Sequence, residues 1–147
     1  MEPIDEAFRS HIVNLMEDAS SESAIAGQVG TKVFGGHEEP VGLPLVNFYH
    51  IATLDLPGET LDGGDGLARI IVETSFKADK KQEVQDLMNI FLDDWKPKKN
   101  GLSRRTIGTD YTVRVDYASI TTRQMIFDSD RECFHGIVDL MIIYREG

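Results

Sequence analysis

The chain has 147 residues, 41% of them hydrophobic and 27% charged, with one cysteine and a net charge of −10. That length and composition suit one globular domain, residues 1–147, whose core needs no disulfide, and they exclude a disordered chain and a disulfide scaffold. No apolar run is long enough to cross a bilayer, and the acidic opening MEPIDEAFRS is wrong for a secretory signal, so work in the cytosol of the producing cell is expected. The charge is unevenly spread. Residues 1–66 hold 12 acidic and 2 basic side chains, and the remaining residues hold 13 of each. Such a chain does not seek bare nucleic acid, because phosphates must be neutralised by Lys and Arg. On charge alone a merely solvated surface is the first reading, and head-to-tail contact between copies, which charge polarity along the chain can favour, is the second.

In chain order, Pro3 suits a first helical turn, and Ile4, Phe8, Ile12 and Leu15 recur at helical spacing with Met16 beside them. Ser20 to Ser23 break that helix, and a turn over residues 24–30 follows, closed by Gly27 and Gly30. Residues 31–34 form a short strand candidate. Gly35, Gly36, Pro40 and Pro44 then block helix and fix where the next strand begins, a strong strand signal over residues 45–56. Residues 57–66, PGETLDGGDG, are a loop, and residues 67–77 alternate as a half-buried strand. Asp79 and Gln82 resemble an N-cap and capping box, ahead of the apolar stripe Val84, Leu87, Met88, Phe91 and Trp95, which Pro97 stops. A basic loop, KPKKNGLSRR, spans residues 96–105. Residues 111–120 form a strand with Val113, Val115 and Tyr117 on one face. Residues 121–132 are a polar connection, partly extended, and residues 134–145 are the last strand.

The order α-β-β-α-β-β predicts an α+β fold: a mainly antiparallel four-stranded sheet with two helices packed on one face. The other sheet face carries Tyr49, Ile51, Ile137, Met141 and Ile143 among charges. That is more apolar than a fully wetted face requires, which makes these residues candidates for contact between subunits.

The constellations that resemble chemistry are weak. His37-Glu38-Glu39 has no second histidine at ligand spacing and reads as a solvated loop. Cys133 and His135 share one side of a strand, but their roots lie roughly 7 Å apart and no oxyanion turn surrounds them. DGGDG, residues 62–66, lacks both the ligand pattern of a calcium loop and the GK[ST] of a phosphate cradle. Asp128 and Asp130 read as turn residues. No catalytic, cofactor or metal residue is assigned, and no enzyme is expected. Lys96, Lys98, Lys99, Arg104 and Arg105 place +5 in one loop without an intervening acid. A solvated loop is the first reading, a protein partner the second and DNA the third.

Several passages together resemble the tail-completion, or tail-terminator, family of long-tailed bacteriophages. They are the leading helix, "VGTKVFGGHEEPVGLPLVNFYHI", "ARIIVETSFKADKKQEVQDLMNIF" and the closing "FDSDRECFHGIVDLMIIYRE", together most of the chain. The loop 96–105 has no counterpart in that pattern. The resemblance implies a structural virion protein located at the tail–head junction and assembled in the host cytoplasm. It would form a hexameric ring that caps the tail tube, ends tube polymerisation and presents the docking surface for the head or neck connector. Its partners would be copies of itself, the tail tube protein and the connector, with DNA passing only transiently through the lumen and no membrane involved. A negative lumen repels phosphates, which makes Glu59, Asp62 and Asp65 of loop 57–66 the lumen or tube-face candidates. The alternatives are another neck or head-completion protein, a small-molecule-binding α+β domain or enzyme, and a nucleic-acid-binding sheet, the last disfavoured by the acidity.

Overall fold

The computed structural model describes residues 3–36, 42–55, 67–96, 104–130 and 132–146. The helices are α1 (Pro3–Asp18), α2 (Ala24–Val29) and α3 (Lys81–Asp94), with a 3₁₀ turn at Ala19–Ser21. The strands are β1 (Val33–Gly35), β2 (Leu45–Asp55), β3 (Leu67–Ala78), β4 (Arg105–Ile107), β5 (Val113–Asp128) and β6 (Cys133–Glu146). They form one six-stranded sheet in the order β1-β2-β3-β6-β5-β4, in which β1 runs parallel to β2 and every other pairing is antiparallel.

The expected four-stranded antiparallel sheet with two helices is therefore corrected to a six-stranded mixed sheet, curled into a half-barrel, with three helices. The additions are short and held by distant partners. β1 has three residues, and Arg9 of α1 donates from Nε to the Val33 carbonyl at 2.8 Å and from Nη2 to the Thr31 carbonyl at 3.3 Å. β4 also has three residues, and its first, Arg105, is the last residue of the expected basic loop 96–105. α2 replaces the expected turn because Ile25, Ala26 and Val29 are all buried.

The two long helices form for reasons visible in the chain. Pro3 opens α1, and Asp5 and Glu6 sit at the positive end of its dipole. Ile4, Phe8, Ile12 and Met16 fall on one face and are fully buried. On α3, Val84, Leu87, Met88 and Phe91 are buried in the same way; each such side chain contributes about 1.5–3 kcal/mol. The cap of α3 falls one residue later than expected: the Lys80 N–H donates to Glu83 Oε1 at 3.2 Å.

Phe8 stands at the centre of the core, 5.1 Å from the Phe48 ring, 6.3 Å from Phe91 and 6.1 Å from Trp95. α3 lies close on β6 at Gly136, where an added Cβ would stand 2.7 Å from Val84 Cγ1. The ladder slips between Val115 and Tyr117 and between Ile120 and Thr122 of β5, and between His50 and Ala52 of β2. Each bulge switches the face of the residues after it and bends the strand, which helps curl the sheet. Val113 and Val115 face the core as expected, but Tyr117 does not; Ala118 takes the buried position instead. β5 also continues through residues 121–128, so most of the expected polar connection is strand. The turn into β6 is tied by the Asp130 N–H donating to Asp128 Oδ1 at 3.0 Å.

Candidate functional site

The strongest polar cluster of the described residues joins three elements. Asp94, at the end of α3, accepts from Arg105 of β4 in a fork: Nη1 to Oδ1 at 2.9 Å and Nη2 to Oδ2 at 2.8 Å. His11 Nε2 of α1 lies 2.7 Å from Asp94 Oδ2. The Arg105 guanidinium carbon lies 3.9 Å over the Trp95 ring, and His11 meets the same ring edge-on at 5.5 Å between centroids. Burial pushes the Asp94 carboxyl up, but hydrogen bonds from His11 and Arg105 and their positive charges outweigh it and bring it down to about 2. A His–Asp pair invites an acid–base reading, but both carboxylate oxygens are already engaged by Arg105. The arrangement is a clamp that fixes α1, α3 and β4 to one another.

The outer sheet face is defined by the strand register. Rows run across the strands through Tyr49, Glu73 and Asp139; through Ile71, Met141 and Ser119; through Arg69, Ile143 and Tyr117; and through Ser75, Ile137 and Gln124. The ladder thus brings Tyr49, Ile137, Met141 and Ile143 onto one surface, adding Ile71 and Tyr117, which belong there for the same reason. Tyr49 is 37% exposed, and its hydroxyl accepts from Asn47 Nδ2 at 2.7 Å. At one end of this face Asp116 Oδ2 accepts from Arg145 at 3.1 and 2.9 Å, with Arg114 Nε 3.5 Å from Oδ1.

Open grooves lie on the helical side. One, of about 500 Å³, runs between α3 and β5 and is lined by Asn89, Leu92, Lys96, Ile120 and Arg123. A second, of about 390 Å³, continues it past Gln85, Met88, Gln124 and Met125. A third, of about 490 Å³, lies between α2 and α3 with Glu22, Glu83, Asp86 and Asp93 around Ile25 and Ile90. No group of three or more His, Cys, Asp or Glu side chains among the described residues is arranged to hold a metal.

No protein-family model matches the chain, and no curated protein sequence does. Among solved structures it is similar to a chain of the virion of a native gene transfer agent (GTA) particle. The TM-score is 0.54 at 12% identity, covering 96% of each chain. The fold is shared with a virion component. At that identity the likeness is one of architecture, and it extends over nearly the whole of both chains.

Of the five basic loop candidates, Arg105 is engaged with Asp94 and Trp95, whereas Lys96 and Arg104 are exposed. Lys98 and Lys99 lie outside the described residues, as do His37-Glu38-Glu39 and the lumen candidates Glu59, Asp62 and Asp65. Ile51 falls in the β2 bulge, and its side chain also lies outside the description. Cys133 is fully buried. No described helix is long and apolar enough to cross a membrane. His11 is absent from the sequence-derived candidates. Its one signal is its place three residues after Phe8, at the margin of the apolar stripe of α1.

Proposed function

We propose that this chain is a structural, non-catalytic virion protein of a tailed phage or phage-like particle. In this reading six copies form a ring that caps the tail tube, stops its growth and presents the surface onto which the head or neck connector docks. The observation that carries the reading is the likeness of fold to a virion chain over 96% of both lengths. The passages that resemble tail terminators narrow it from virion protein to tube end.

The physics of the chain supports the assignment. A ring needs two unlike surfaces on each copy, and a chain with its negative excess in residues 1–66 supplies them. The outer sheet face with Tyr49, Ile137, Met141 and Ile143 offers apolar contact area between subunits. β2 ends at Asp55 and β3 starts at Leu67, so both ends of the acidic loop leave one end of the sheet. Glu59, Asp62 and Asp65 there would line the lumen and repel passing DNA. Lys96, Lys98, Lys99 and Arg104 would meet an acidic protein partner.

Native mass spectrometry tests the ring. Six copies are expected, free or once tail tubes are added. A compact monomer that retains a bound small molecule contradicts the reading. A head-completion protein shares the structural role but docks on the head, so binding to isolated tubes separates that alternative.

A further inference from the structure

Among the described residues, the two edges of the sheet are covered by a neighbouring strand for only a few residues each. β4 pairs with β5 at Val113–Val115, and no described strand lies beyond β5 from residue 116 onwards. β1 pairs with β2 at Val46–Phe48, and no described strand lies beyond β2 over residues 49–55. An open strand edge is a row of unpaired donors and acceptors, and natural sheets protect it with proline, lysine or brevity. β5 is only weakly defended where it is most open, by the bulge between Ile120 and Thr122 and by Arg123. Residues 121–127, TTRQMIF, contain one charge and no proline, and all but Met125 are exposed. Ile126 is 45% and Phe127 55% exposed, two of the four large hydrophobic residues that are exposed among those described. The groove between α3 and β5 runs along the same stretch, with Arg123, Gln124 and Met125 in its wall.

We propose that copies of this chain join edge to edge: residues 121–127 of β5 receive residues 49–55 of β2 from a second copy, extending the sheet from one subunit into the next. The pairing rests on the ring reading and names its contact. Three observations select a second copy as the occupant. First, the open edge of β5 is long enough to take residues 49–55, and pairing them with residues 121–127 places the neighbour's β1 past the end of β5. Second, the strand directions fit. β2, β3, β6 and β5 alternate in direction, so side-by-side copies in the same orientation bring β5 and the neighbour's β2 together antiparallel. Third, the two paired stretches differ in charge: residues 49–55 hold Asp55 and no Lys or Arg, whereas residues 121–127 hold Arg123 and no acid. Unlike charge at unlike edges steers a heterologous contact that repeats around a ring, and it opposes a two-fold β5–β5 pair, which would bring the two Arg123 side chains together.

Hydrogen–deuterium exchange on the unmodified full chain tests this, comparing dilute protein with concentrated protein and with protein added to tail tubes, while native mass reports association. The expected result is at least tenfold slower exchange in both 49–55 and 121–127 on association. Mixing a Gln124→Cys copy with an Ala52→Cys copy, both in a Cys133→Ser background, should give mixed cross-links with a short bismaleimide, and neither copy should cross-link with itself. Association that protects other segments overturns the edge contact and leaves the ring standing. Protection of β5 alone, with Gln124→Cys linking to itself, replaces it with a two-fold pair. A chain that stays monomeric under every condition overturns both the contact and the ring.

Discussion

Arg105 and Asp94 meet fork to fork, with both nitrogen–oxygen distances at 2.8–2.9 Å, and the guanidinium rests on Trp95. Eleven residues separate the pair, and the contact ties the end of α3 to β4. Truncating Arg105 leaves the largely buried Asp94 carboxylate with His11 as its remaining partner, so Arg105→Ala should destabilise the fold by about 2–3 kcal/mol. Arg104→Ala, at an exposed position, should stay within about 0.5 kcal/mol. Urea denaturation of the two variants separates a structural arginine from a free one.

The same clamp sets an acid limit. The Asp94 carboxyl is held at about 2, below its ordinary 3.8. A depressed carboxylate stabilises fully above its unfolded value, and that stabilisation is lost as pH falls through the folded one. Stability should therefore drop between about pH 4 and pH 2, with about 1–2 kcal/mol attributable to this group after solvent screening. Asp94→Asn should flatten that part of the profile, as read by chemical denaturation at stepped pH.

Gly136 lets α3 rest on β6. A Cβ there would press on Val84, whose branched side chain cannot retreat far. Gly136→Val should cost about 1–3 kcal/mol through forced displacement of the helix. Gly42→Ala, where a Cβ meets nothing within 4 Å, is the control and should leave the urea midpoint almost unchanged.

The two amphipathic helices and four long strands are legible in the chain because burial of one face writes a period of 3.6 or 2 into the residues. Phe8 and Phe91 declare themselves in this way. β1 shows only as the strand candidate at residues 31–34, and β4 not at all, since three residues cannot show a period; the joining of both to the fold depends on Arg9 and Arg105 reaching across it. Residues 121–127 look like a connection because both sides of an uncovered edge tolerate polar residues. Tyr117 is misassigned to the core face because a bulge shifts the count by one. Of the candidate site, the apolar sheet face is readable from alternation, whereas the capture of Arg105 by Asp94 is a tertiary event with no local trace.

If loop 57–66 faces the lumen, replacing Glu59, Asp62 and Asp65 with lysine should leave the isolated chain as stable as before. The same change should alter tail length or hinder DNA passage in assembled particles. Variant particles with normal tails and normal delivery would remove these residues from the lumen.

The most direct measurement is electron microscopy of particles assembled without this chain. A tube-capping role predicts tails of abnormal, extended length and tails without heads, restored to normal by adding the protein back. Intact virions with tails of uniform length, formed in its absence, would contradict it.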